Sequence, residues 1–262
     1  MSSLYTENSE KWKGLSSIDY FTQFVKAWIP FNAWYKTYYP ECNTDRQAID
    51  HLKANPNKIR DKLISLINDP NNEGVIFKSR ISDLHFRLER KYLYNRNERI
   101  TFFQITVESN PNLRNSFTRN RCRYEAVRGI PNKSGEIDIF IYGQNGNSTF
   151  SYTQRNGFDV NDLTANSDFL RLSQPQQRNL KACYEEINPS RPVNLLSTDP
   201  QSCIQMGSID FVNDAELLAK GVMEALYKLR NILFHGEIVP DNDTNRVYEP
   251  AYQILHTLIQ AL

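Results

Sequence analysis

The apolar residues of this chain recur at steps of three and four through much of its length, a spacing that places them on one face only if the backbone is helical. Phe24, Trp28, Phe31 and Tyr35 form such a stripe between Ile18 and Tyr39. Pro30 interrupts it. Lacking an amide hydrogen and crowding the preceding turn, Pro30 is expected to kink the helix or to start a second one. Shorter helices are expected over Asp45 to Lys53 and Asn57 to Ile67, separated by Asn55-Pro56 and closed by Asp69-Pro70. A long amphipathic helix is expected from Gly74 to Tyr94, with Ile76, Phe77, Ile81, Leu84, Leu88 and Tyr92 on its apolar face.

The texture changes near Ile100. Runs rich in β-branched and aromatic residues, Thr101 to Val107, Glu136 to Tyr142 and Ser148 to Thr153, predict strands, with Gly143 to Asn147 as a hairpin turn. Helical signals resume over Asp168 to Leu172 and Pro175 to Ile187, and Pro189, Pro192 and Pro200 then mark an irregular connection. The best-defined helix follows. Asn213 and Glu216 resemble a capping box, Leu218, Val222, Ala225, Leu226, Leu229 and Leu233 supply the buried stripe, and Gly236 is placed just beyond the C-cap. Pro240 opposes resumption, and a last helix is expected over Pro250 to Leu262. The fold class expected is mainly α: an antiparallel helical bundle from 1–99 and 158–262, with a small β-rich insertion over 100–157.

Composition sets the outer limits. With 262 residues, 40% of them hydrophobic, the chain can bury a sizeable core. Its formal charge of +1 excludes a global field that would advertise nucleic acid as a partner. Charge is nonetheless segregated: basic residues dominate between Lys78 and Lys133, whereas Ser134 to Ala219 is net acidic. The aromatic-interleaved basic run from Arg87 to Arg128 reads either as a solvated face or as an RNA-tracking surface, with Arg119, Arg121 and Arg123 as nucleic-acid-binding candidates. The four cysteines, Cys42, Cys122, Cys183 and Cys203, are far apart, with no C-x-x-C pair and no histidine at zinc-ligand spacing, so reduced thiols are expected and no cofactor or metal. The polar stretch Met1 to Lys13 lacks the apolar run of a signal peptide, no segment approaches a membrane span, and a cytoplasmic location is expected.

The segment Lys228-Leu229-Arg230-Asn231-Ile232-Leu233-Phe234-His235-Gly236 puts three polar groups at a helix end. On an ideal helix Arg230 and His235 point about 140° apart, so a shared site needs the helix to stop near His235 or a second copy to face it. The residue types suit RNA cleavage without a metal. Imidazole moves protons near neutral pH, and guanidinium holds phosphate oxygens with paired donors. The plain structural reading is that both residues cap carbonyls at the negative end of the helix dipole.

Arg230-Asn231-Ile232-Leu233-Phe234-His235 resembles the Arg-x(4 to 6)-His motif of the HEPN superfamily in its Arg-Asn-x-x-x-His form. That resemblance implies a HEPN-like helical bundle that dimerises, two motifs forming one metal-independent ribonuclease site that leaves a cyclic phosphate. It assigns Arg230 and His235 as the catalytic pair and Asn231 as the group that orients them. It also implies a toxin or anti-phage defence setting, with RNA as substrate and a possible antitoxin or defence partner. The early run Phe24 to Tyr35 is similar to a helix of some HEPN-like proteins in which a polar residue faces the motif, and Asn32 is the residue so placed here. Antitoxin-silenced members resemble Arg-x(4)-His-x-Tyr; Glu237 occupies the tyrosine position, which speaks against that form of silencing. The alternative carried from another class is a non-catalytic HEPN-like module that binds nucleic acid or a partner protein. Gly135-Glu136-Ile137-Asp138 also resembles the strand of a magnesium nuclease, but the following strand, Thr149 to Thr153, lacks the acid and lysine that chemistry requires.

Overall fold

The computed structural model describes residues 19–96, 98–129 and 135–262. The polar stretch Met1 to Lys13 lies outside them. The chain is rich in α-helix and carries antiparallel sheets, in two compact units. One is drawn from Met1–Val107 and Val193–Leu262, the other from Glu108–Pro192, a wider span than the expected insertion over 100–157.

In the first unit, helix α1 (Tyr20–Tyr38) buries Phe24, Ala27, Trp28, Phe31 and Tyr35 on one face. Asp19 caps it, accepting from the amides of Phe21 and Thr22. One continuous helix passes through Pro30, which lies on the exposed side, so the break expected there becomes an interior proline rather than a second start. Helices α2 (Asp45–Ala54) and α3 (Lys58–Asn68) follow the predicted punctuation closely, whereas α4 (Asn72–Arg90) ends four residues short of Tyr94 and leaves Ile76 and Tyr92, expected on its apolar face, exposed. Thr44 and Gln47 form a reciprocal capping box at the start of α2.

The run Thr101 to Val107 is not a strand. Phe102, Ile105 and Val107 are buried in the helical core, and pairing along this run is a single bridge between Ile105 and Val193. The apolar residues there are used to fill the core, not to build a ladder. Two short hairpins escape the sequence reading: β1 (Tyr94–Asn95) with β2 (Glu98–Arg99), and, beyond Pro192, Cys203–Met206 with Ile209–Val212.

The second unit is an antiparallel meander of β3 (Arg114–Arg119), β4 (Cys122–Arg128), β5 (Ile137–Tyr142) and β6 (Ser148–Gln154), in that order. Strands β5 and β6 and their turn match expectation, Gly143 donating to the Asn147 carbonyl at 2.9 Å. Strands β3 and β4 were hidden because their pattern is polar and basic, and Asn120-Arg121 make their turn with both φ values positive, a conformation signalled more often by Asn-Gly. Helices α5 (Val160–Ala165), α6 (Ser167–Leu170) and α7 (Gln174–Glu185) complete the unit, and α7 packs on β3, β4 and β5. The Tyr184 hydroxyl donates to Gln154 and accepts from the Asp159 amide, so its buried polar end is satisfied.

Strands β7 (Cys203–Met206) and β8 (Ile209–Val212) lead into α8 (Ala215–Phe234) and α9 (Asn242–Ile259) of the first unit. The cap of α8 is Asp214, not Asn213: its carboxylate accepts from the Leu217 amide at 2.9 Å. Helix α9 begins well before Pro250, because Asp241 caps it by accepting from Thr244 and Pro250 is tolerated inside. Midway along α8, an added Cβ on Gly221 would lie 2.1 Å from a δ-methyl of the fully buried Leu195. Glycine costs a helix about 1 kcal/mol relative to alanine, but overpacking a tight core costs about 1–3 kcal/mol. Gly221→Ala is therefore expected to lower stability, by about 1–2 kcal/mol, in urea melts; an unchanged midpoint would mean that Leu195 repacks freely.

Candidate functional site

The C-terminal end of α8 is a complete Schellman motif. The Glu237 amide donates to the Ile232 carbonyl at 2.8 Å, the Gly236 amide donates to Leu233 at 3.3 Å, and Gly236 takes φ +67°. The helix thus stops where the sequence expects. His235 is its C-cap residue, with φ −92° and ψ 0°, and its side chain is exposed.

Arg230, one turn earlier, is already engaged. Its Nη2 donates to Asp45 Oδ2 at 2.8 Å and its Nη1 to Asn231 Oδ1 at 3.0 Å. The guanidinium lies over the Phe234 ring, 4.5 Å from the centroid. Its Nε is buried and has no hydrogen-bond partner among the described residues.

Asp45 is the hub. Besides Arg230 it meets the Lys36 ammonium at 3.3 Å, and its charge acts on the Tyr35 hydroxyl. Burial first, and then the Asp45 charge, push the Tyr35 hydroxyl far above the ordinary tyrosine range, so Tyr35 remains a donor. The Asn32 Nδ2 donates to the Tyr35 oxygen. Asn32 and Tyr35 thus form one bonded pair on α1, and Lys36, Asp45, Arg230 and Asn231 form one polar path across the end of α1, the start of α2 and the end of α8.

Of the residues singled out from sequence, Asn32 is bonded to Tyr35, and Arg230 and Asn231 are joined. His235 is not: among the described residues no side-chain hydrogen bond or ion pair links it to Arg230 within the chain. Asp45, Tyr35 and Lys36 were missed. Tyr35 sat inside an aromatic stripe that reads as core, and nothing in one sequence distinguishes Asp45 from an ordinary acidic residue in a first helical turn.

Two supports hold the site in register. Glu224, two turns upstream on α8, is buried and bonded to Lys53 Nζ at 2.6 Å and to Arg46 Nη1 at 2.9 Å, tying α8 to the helix that carries Asp45. Burial alone would raise the Glu224 carboxyl; Arg46 and Lys53 outweigh it and hold the group below the usual range. From α9, the buried Tyr248 hydroxyl donates to the Leu229 carbonyl at 2.8 Å.

The arginine candidates of the second unit gather at one hairpin end. Arg119 and Arg121 are exposed, and Arg123 lies 4.5 Å over the Tyr142 ring with Glu125 at 3.5 Å. Asp138 accepts from Thr153 across the sheet. Comparison of the chain with protein-family models, curated proteins and solved structures returns no match. No described helix is long and apolar enough to cross a membrane.

Proposed function

We propose that this chain is a metal-independent endoribonuclease of the HEPN type, acting in the cytoplasm as a two-fold homodimer. The ribose 2′-oxygen attacks phosphorus, the bond to the 5′-oxygen breaks, and the products carry a 2′,3′-cyclic phosphate and a 5′-hydroxyl. His235 takes the 2′-hydroxyl proton or delivers one to the leaving oxygen. Arg230, oriented by Asn231, neutralises the charge that builds on the phosphate. Asn32 acts at one remove, through Tyr35 and Asp45.

The observation that carries this reading is the polar path ending at Arg230, one turn before an exposed imidazole that makes no hydrogen bond among the described residues. Since His235 does not meet Arg230 within one chain, the reading requires the partner's motif to close the site. The hairpin arginines Arg119, Arg121 and Arg123 are proposed to track the RNA backbone. The toxin or defence setting rests on the resemblance of the motif alone.

One observation favours a second reading, a non-catalytic module. Arg230 already has a carboxylate partner, and a guanidinium held by Asp45 is partly neutralised before any phosphate arrives. Incubation of the purified chain with end-labelled RNA in EDTA separates the two. Products ending in a cyclic phosphate, from a protein that light scattering finds dimeric, are expected. Intact RNA at high protein concentration, with a strict monomer in solution, would leave the binding module standing.

A further inference from the structure

The turn between α1 and α2 brings together three side chains of different chemistry. Tyr39-Pro40-Glu41-Cys42 is a β-turn closed by the Cys42 amide donating to the Tyr39 carbonyl at 3.1 Å, with proline at the position where its fixed φ favours such a turn. It presents a carboxylate and a thiol side by side. His51 comes back to them from the second turn of α2, whose start is fixed by the Thr44–Gln47 capping box. The Glu41 oxygen, the Cys42 sulfur and a His51 ring nitrogen all lie within 4.8 Å of one another.

We propose that Glu41, Cys42 and His51 form a binding site for a zinc-class divalent cation. The donor set is one thiolate, one imidazole and one carboxylate, the mixture that borderline cations such as Zn(II) select over calcium or magnesium. Its two negative charges neutralise a divalent ion. In a tetrahedral zinc site the donor atoms stand roughly 3.3–3.8 Å apart, given bonds of about 2.0–2.3 Å, so closure asks for about 1 Å of movement. Glu41 is exposed and His51 half-buried, which leaves their side chains room to turn. Three protein ligands leave the fourth position to water or to an incoming group.

The position gives such an ion a consequence. Asp45, which holds Arg230, begins α2 three residues after Cys42, and Lys36 at the other end of the turn pairs with Asp45. An ion here staples the segment that carries the hub of the polar path. Burial, and after it the Glu41 charge, push the free Cys42 thiol above its ordinary value. Binding forms the sulfur–metal bond as the thiol proton passes to solvent.

Titration of the untagged full chain with Co(II), a zinc surrogate, tests the site independently of any RNA cleavage. Saturation at one ion per chain is expected, with a sulfur-to-cobalt charge-transfer band and the intense visible bands of a tetrahedral centre, both displaced by Zn(II). Cys42→Ser should abolish the charge-transfer band. His51→Gln, at a half-buried position that should fold normally, should weaken binding beyond the roughly 10–100-fold cost of losing an outer partner. Cys122→Ser and Cys203→Ser should leave the spectrum unchanged. Absence of stoichiometric binding by the wild type, or a spectrum unaltered by His51→Gln, would overturn the proposal.

Discussion

Replacing His235 with alanine is expected to slow RNA cleavage in EDTA by roughly 10²–10⁴-fold, the usual contribution of a positioned acid–base group. His235 is the cleanest place to look. Its side chain is exposed and makes no hydrogen bond among the described residues, so its loss should change stability by no more than about 0.5 kcal/mol. Arg230→Ala is less clean, since it also removes a partner of Asp45 and the contact with Phe234. The pair together give a sharper result. If Arg230 of one chain works with His235 of its partner, a mixture of the two inactive variants forms heterodimers containing one intact composite site, and activity partly returns. A site completed within each chain gives no such recovery. Wild-type rates from His235→Ala in single-turnover assays would remove the nuclease reading altogether.

The second large effect is on stability. Glu224→Ala strips the buried Lys53 of its 2.6 Å partner and leaves it Asp50 at 3.1 Å; breaking a buried pair from one side costs about 3–5 kcal/mol, and the remaining carboxylate holds the loss to the lower end of that range. For a domain of this size that corresponds to a fall in Tm of the order of 10 °C. The companion experiment is the double variant Glu224→Leu with Lys53→Met, which removes both charges and should regain most of the loss. The pH dependence has a definite sign. With its folded value depressed, Glu224 contributes stability that is present above the ordinary glutamate range and fades as pH falls through that folded value. Thermal melts near neutrality and in mild acid check both points. A Glu224→Ala protein within about 1 kcal/mol of wild type would mean that the cluster is solvated more freely than its burial implies.

The helical part of the fold was legible because its signals are local. Aromatic spacing marked α1, prolines and asparagines bracketed α2 and α3, and Gly236 marked the end of α8 where the Schellman bonds are found. Terminal positions slipped when two adjacent residues offered equivalent caps, as with Asn213 and Asp214. The strand content was harder to read. Thr101 to Val107 has strand-like composition but finds most of its stabilisation in the helical core, while β3 and β4 pair through a backbone pattern that their polar side chains do not advertise. Of the polar path, the part carried by one stretch, Arg230 and Asn231, was visible. The part made by bringing Lys36 and Asp45 to it depends on packing between distant elements, and no periodicity encodes that.

The first unit releases its chain at Val107 and receives it back at Val193, and just inside those points Ile105 and Val193 exchange amide-to-carbonyl bonds in both directions, at 3.0 and 2.9 Å. The exit and re-entry therefore stand one strand spacing apart, roughly 5 Å. A loop that short is closed by a handful of residues at little entropic cost. The helical unit is thus made of two lengths of chain that meet at one doorway, and the intervening segment leaves and re-enters through it as a single loop.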